Sequence, residues 1–236
     1  MIKILHVYTR NVLYTHDGAS LEGVDLSKLD LSWADLEGMN LSGANLTRTS
    51  LYKANLTKAN LEYARLTRAN LEGVNLSKAN LEFADLDSAN LTNANLTNAN
   101  LINANLINVN LECANLTDAD LREARFIHAN LKYANLTGAD LRDADLAYMY
   151  LNGVNMTRAN LSGANLTVAT FFMCDVQKVK MYKTDLSCAD LRDADFTGAD
   201  LRHANFQKAD LRGADLKSAN VEFADFTGAN RAPTWF

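Results

Sequence analysis

Four histidines, three cysteines and 28 carboxylates are the groups in this chain with the means to do chemistry. His6, His16, His128 and His203 stand apart, and no two have the spacing of a metal site. Cys113, Cys174 and Cys188 lack metal-ligand spacing too. Their odd number argues against a disulfide framework and for a reducing compartment. The carboxylates recur at regular intervals instead of converging. No Ser–His or Cys–His constellation and no glycine-rich phosphate loop is present. The pattern points to a protein that is not an enzyme and holds neither cofactor nor metal.

What is left is recognition chemistry. No residue between Asp87 and Glu112 is charged, and this window holds Asn93, Asn98, Asn103 and Asn108 together with Ile102 and Ile107. A second unusual stretch, Tyr148–Thr184, contains Tyr150 and Phe172. A third, Leu41–Asn80, sets Arg48, Lys53, Lys58, Arg65, Arg68 and Lys78 against Glu62 and Glu72 only.

These residues hang on a rule of five. From Leu21 to Phe226 a large apolar residue occupies every fifth position, 42 times without an insertion. Leu fills most of these positions, and Phe, Met or Val the rest. Two residues earlier the chain has Ala in 31 of the 42 cases. Neither position is ever charged, although 22% of the chain is, so both are expected to be buried. A helix repeats at 3.6 residues and a strand at 2, and neither keeps every fifth residue on one side. A solenoid does, if each unit of five forms one side of a coil and the chain turns a corner between units.

Runs such as ADLEGMNLSGANL, ANLTNANLTNANL and ADLRDADFTGADL resemble the A-(D/N)-L-x-x motif of the pentapeptide repeat proteins. The resemblance covers Ala19–Asn230. It implies an all-β fold, a right-handed quadrilateral β-helix with four pentapeptides per coil. The 42 units would make about ten and a half coils, a rod of roughly 50 Å at ~4.8 Å per coil. An interior filled with Leu and Ala leaves no substrate cavity.

Residues 1–20 precede the repeat. Ile2–Tyr8 and Val12–Tyr14 read as a capping hairpin around Thr9-Arg10-Asn11, with a turn at Thr15–Gly18. Residues 21–230 are the β-helix. Residues 231–236 break the pattern at Pro233 and supply Trp235 and Phe236 as a short plug. So short a cap leaves room for an end-to-end homodimer. The start MIKILHVYTR has no long apolar core followed by a cleavage site, so no signal peptide is read. No apolar run is long enough to span a membrane. The expected location is cytoplasmic.

With four units per coil, residues twenty apart stack in columns. Ile127 then stacks on Ile107, and Phe83 on Tyr63 beside them. Phe83, Ile102, Ile107 and Ile127 form the first candidate partner-binding belt. Tyr133, Tyr150 and Phe172, with Met173 facing out nearby, form the second. There Met149, Val154, Cys174, Val179 and Thr184 replace the inward Ala and should distort the coils. Lys28, Arg48 and Arg68 stack with Arg65 alongside, as an anion or acidic-partner site or a plain solvated edge. The Asn-x-Ser/Thr sequons and the hydroxyl column from Thr57 to Thr157 follow from the motif and carry little weight.

The leading expectation is a non-catalytic protein–protein interaction scaffold with a protein partner, of the kind seen among bacterial regulators that resemble it. The net charge of −5 argues against direct nucleic-acid binding. Some proteins that resemble this one act as DNA mimics that inhibit or protect DNA gyrase. The mild net charge and the basic section at Leu41–Asn80 depart from that pattern. A purely structural or orphan repeat protein is the third expectation.

Overall fold

The computed structural model describes residues 1–172 and 174–230. Met173 and the expected plug at 231–236 therefore lie outside the described residues.

Each unit of five folds the same way. The Leu carbonyl accepts a hydrogen bond from the amide three residues on, as in Ala44 N to Leu41 O at 3.0 Å. The second residue after Leu takes a left-handed conformation, with φ between 53° and 75° at every described position of this kind. This is a tight turn, so the chain changes direction every five residues. The Asn or Asp before Leu braces the next turn. Its Oδ1 accepts the amide two residues on, as in Ser27 N to Asp25 at 2.9 Å and Glu62 N to Asn60 at 3.2 Å.

Four such turns close one coil, and neighbouring coils pair in parallel at an offset of twenty residues. Pairing runs from Asp25↔Asn45 to Asp210↔Asn230. Leu amides donate to the next coil and Asn or Asp amides to the previous one along most of the rod. Leu46 N reaches Arg65 O at 2.7 Å, and Asn45 N reaches Val24 O at 3.0 Å. Main-chain groups are thereby satisfied although no long strand exists.

The interior is what the spacing predicts. Nearly every Leu and every small residue two before it is buried. Each buried Leu contributes ~1.5–3 kcal/mol of hydrophobic stabilisation. Where the small slot holds a polar group, the group finds a carbonyl in the neighbouring coil. Thr49 and Thr184 donate to Leu26 O and Leu161 O at 2.8 and 2.7 Å, and the Cys174 thiol to Leu151 O at 2.6 Å.

The N-terminal hairpin forms, with altered limits. Strands β1 (Ile2–His6) and β2 (Val12–His16) pair antiparallel, with a bulge between Ile4 and Leu5. The expected turn at Thr15–Gly18 begins later, because Thr15 and His16 pair with Lys3 and Ile2. β1 also pairs with β3 (Ala34–Asp35), which joins the hairpin to the first coil, and Ile4 is fully buried.

Candidate protein-interaction surface

The columns place the first candidate belt as expected. Tyr63 and Phe83 stack with ring centroids 5.0 Å apart and planes 2° from parallel. Asn108 N donates to Ile127 O at 3.0 Å, which sets Ile127 one coil beyond Ile107. Phe83 is exposed. Ile102, Ile107 and Ile127 lie outside the core and are half-buried.

The second candidate group divides. Tyr133, Tyr150 and Phe172 are exposed but make no ring contact with one another among the described residues. Tyr133 lies over Gly153, with Lys132 Nζ 5.0 Å from its centroid. Phe172 lies under the Arg192 guanidinium at 5.9 Å. Tyr150 turns the other way, into a groove of about 260 Å³ lined by His128, Tyr148, Tyr150, Val168 and Thr170.

This groove joins the two candidate regions. His128, Tyr148 and Val168 are one column, and His128 follows Ile127 directly. The His128 and Tyr148 rings are 6.1 Å apart and tilted by 37°. Tyr148, Tyr150 and Val168 are 53%, 62% and 43% exposed. The apolar strip therefore continues from Ile107 and Ile127 to Tyr148, Val168 and Tyr150. Sequence reading missed His128, Tyr148 and Val168, though stacking by twenty would have aligned them.

The coils beneath the groove are strained as their large inward residues predict. Met149 is fully buried in a slot that usually holds Ala. Nearby, Tyr133 N to Asn152 O is stretched to 3.5 Å, where the equivalent bond one coil earlier, Cys113 N to Lys132 O, is 3.0 Å. Asn152 Oδ1 is buried without a hydrogen-bond partner among the described residues. Val168 adopts φ 61°, an outlier for a β-branched residue.

A wider cleft of about 340 Å³ lies between the hairpin and the first coil, lined by Lys3, Leu5, Arg10, Asp35, Glu37 and Met39. Its charges largely answer one another, with Arg10 Nη1 on Asp35 Oδ2 at 2.7 Å. Among the described residues no three His, Cys, Asp or Glu side chains gather as a metal site would require. No helix of the described residues is long and apolar enough to cross a membrane.

Fold and surface define a right-handed, four-sided β-helix whose side chains outside the core are set in columns. The model of the family "Pentapeptide repeats (8 copies)" matches overlapping segments that together run from residue 16 to residue 230. The chain belongs to the pentapeptide repeat family. Among solved structures it is similar to HetL, a pentapeptide repeat protein involved in heterocyst differentiation regulation from the cyanobacterium Nostoc sp. strain PCC 7120. Identity is 31%, 90% of each chain is covered, and the TM-score is 0.49. It is also similar to a trypsin-treated variant of QnrB1, a plasmid-mediated fluoroquinolone resistance protein. There identity is 18%, 76% of this chain and 87% of that chain are covered, and the TM-score is 0.62. Rfr23 from the cyanobacterium Cyanothece 51142 has 25% identity over 71% of this chain and 91% of that one, with a TM-score of 0.25. No curated protein matches the sequence.

Proposed function

We propose that this protein is a non-catalytic scaffold that binds another protein through the strip Phe83, Ile102, Ile107, Ile127, Tyr148, Tyr150 and Val168. A bacterial regulatory role is the finer form of the proposal and rests on family membership. The observation that carries it is the groove beside Tyr150, where aromatic and aliphatic side chains stay exposed on an otherwise polar surface. A rigid rod holds such residues at fixed spacing, so little ordering is lost on binding. Buried aromatics are the usual anchors of protein interfaces.

A DNA-mimic role for the chain is less well supported. It needs carboxylates that present negative charge, whereas Asp120, Asp140, Asp190, Asp200 and Asp210 are each held by the Arg two residues on. A supercoiling assay with DNA gyrase separates the two readings, and inhibition or protection by the purified protein would favour the mimic. End-to-end pairing of two copies, a cytoplasmic location and binding of protein rather than nucleic acid belong to the same proposal.

The test is affinity capture from the native host with wild type, Ile127→Lys and Tyr148→Lys. Both side chains lie outside the core, so circular dichroism should stay unchanged. A protein retained by wild type and lost from both variants supports the strip. Identical captured proteins in all three refute it.

A further inference from the structure

Arginine is used in two ways on this surface. Arg122, Arg142, Arg192, Arg202 and Arg212 each grip the Asp two residues earlier, with contacts of 2.6–2.8 Å. Those guanidiniums are occupied by the fold. Arg48, Arg65 and Arg68 are exposed, and among the described residues none of the three forms an ion pair or side-chain hydrogen bond; Arg125 and Arg158 are unpaired too, but only these three fall within one stretch of the chain. Arg48 N donates to Thr67 O at 3.0 Å and Lys28 N to Thr47 O at 3.0 Å, so Lys28, Arg48 and Arg68 stand one above another. Asp25 lies close enough to feel the Lys28 charge.

Asp85 and Asp87 beside them are already engaged by neutral donors. Asp85 accepts Thr67 Oγ1 at 2.9 Å and Asn105 Nδ2 at 2.8 Å, and Asp87 accepts Asn108 Nδ2 at 3.2 Å. Two residues before Arg65 stands Tyr63, which stacks on Phe83, and these rings are 56% and 42% exposed. Free guanidiniums next to a stacked aromatic pair match the composition of interface hot spots.

We propose that this band docks a short acidic segment of a protein partner. Its carboxylates would sit on Arg48, Arg65 and Arg68, and an apolar side chain on the Tyr63–Phe83 pair. Guanidinium groups take carboxylates bidentately, which gives orientation as well as attraction. The length limit comes from the charge map. Lys28 to Arg68 spans two coil rises, ~10 Å, or about three residues of extended chain. Beyond it, Leu81–Asp120 holds six acids and neither Lys nor Arg. A long polyanion lying along the rod would run onto those carboxylates, so a nucleic acid fits worse than a short acidic peptide. The proposal rests on the protein-binding reading above and shares only Phe83 with its strip, so variants in the groove at Tyr148 and Ile127 test that reading separately.

The experiment is fluorescence anisotropy of a short labelled Glu/Phe peptide with wild type, the pair Arg48→Gln with Arg68→Gln, and the pair Arg142→Gln with Arg202→Gln. Both pairs remove the same formal charge, but only the first removes free guanidiniums. The first pair should weaken binding roughly five- to tenfold, and the second should leave it near wild type. Circular dichroism checks that each variant keeps its fold. Three results overturn the proposal. They are no binding of the Glu/Phe peptide by wild type, equal weakening by both pairs, and tighter binding of an oligothymidine than of the peptide.

Discussion

Replacing Val168 by Asn should stabilise this protein, and replacing Asn108 by Val should destabilise it. The two residues occupy the same column and the same turn position, with φ 61° and 54°. In that conformation Cβ crowds the following carbonyl, at a cost of ~1–2 kcal/mol for an ordinary L-residue. Asn tolerates the conformation, whereas a β-branched side chain suits it least. Val168 is partly exposed, so the substitution leaves no cavity in the core. Val168→Asn should therefore recover about 1 kcal/mol, which for a chain of this size raises Tm by about 2–4 °C. Asn108→Val should lower Tm by at least as much, since it also removes the Nδ2 bond to Asp87 at 3.2 Å. Thermal melts of the two variants under one buffer read both signs. A fall for Val168→Asn, or no change in both, would refute the account of turn strain. Because Val168 also lines the groove, its removal should weaken partner capture while the protein grows more stable. That opposition is expected where local strain serves binding.

Burial pushes the Cys174 thiol up to about 12, while Cys113 and Cys188 are exposed, so a thiol reagent on native protein should label two cysteines and reach Cys174 only after denaturation. Mass spectrometry of tryptic peptides reads this, and native labelling of Cys174 would contradict the buried assignment. Side-chain hydrogen bonds from Arg192, Arg202 and Arg212 hold Asp190, Asp200 and Asp210 below the ordinary value of 3.8. A carboxylate lowered by folding contributes stability that is complete above its unfolded value and lost as pH falls through its folded one. Wild type should thus melt at a steady temperature down to about pH 5 and lose stability below 3.8. The triple variant Arg192→Gln, Arg202→Gln, Arg212→Gln should start lower at neutral pH and show a smaller acid loss. An equal acid loss in both proteins would show that these pairs do not couple to folding.

The interior could be read from residue types alone, because burial excludes charge and the exclusion recurs at a fixed interval. Leu106 and Ala104 are buried for the reason their spacing states. The turn chemistry was harder to read. The left-handed position holds Gly, Asn, Lys, Arg, Tyr, Phe and even Val, so composition there hides the shared backbone conformation. The hairpin was legible as two β-rich runs, but its limits were set by pairing partners that a local reading does not include. The candidate belt was legible in part. Stacking by twenty placed Tyr63 on Phe83 and Ile127 after Ile107. It did not reveal that Tyr150 lines one groove with Tyr148 and makes no ring contact with Phe172 among the described residues, which depends on side-chain direction.

The role of Asn also explains the charge pattern. In the column Asn40, Asn60, Asn80 and Asn100, the Nδ2 of each of the last three donates to the Oδ1 of the Asn one coil before, at 2.9–3.1 Å. Asn can continue such a ladder because it carries a donor and an acceptor. Asp carries only acceptors, and two carboxylates one coil apart repel. The same column continues as Asp120 and Asp140, and there Arg122 and Arg142 supply the missing donors. Asp190 and Asp210, likewise one coil apart, are held by Arg192 and Arg212. Acids and bases therefore rise together toward the C-terminal half for a structural reason, and their number there says little about a partner. Arg48, Arg65 and Arg68 have no Asp two residues earlier to hold, so the ladder does not account for their charge. Arginines that the ladder does not need, and not the acids that it does, are where a partner's chemistry should be sought.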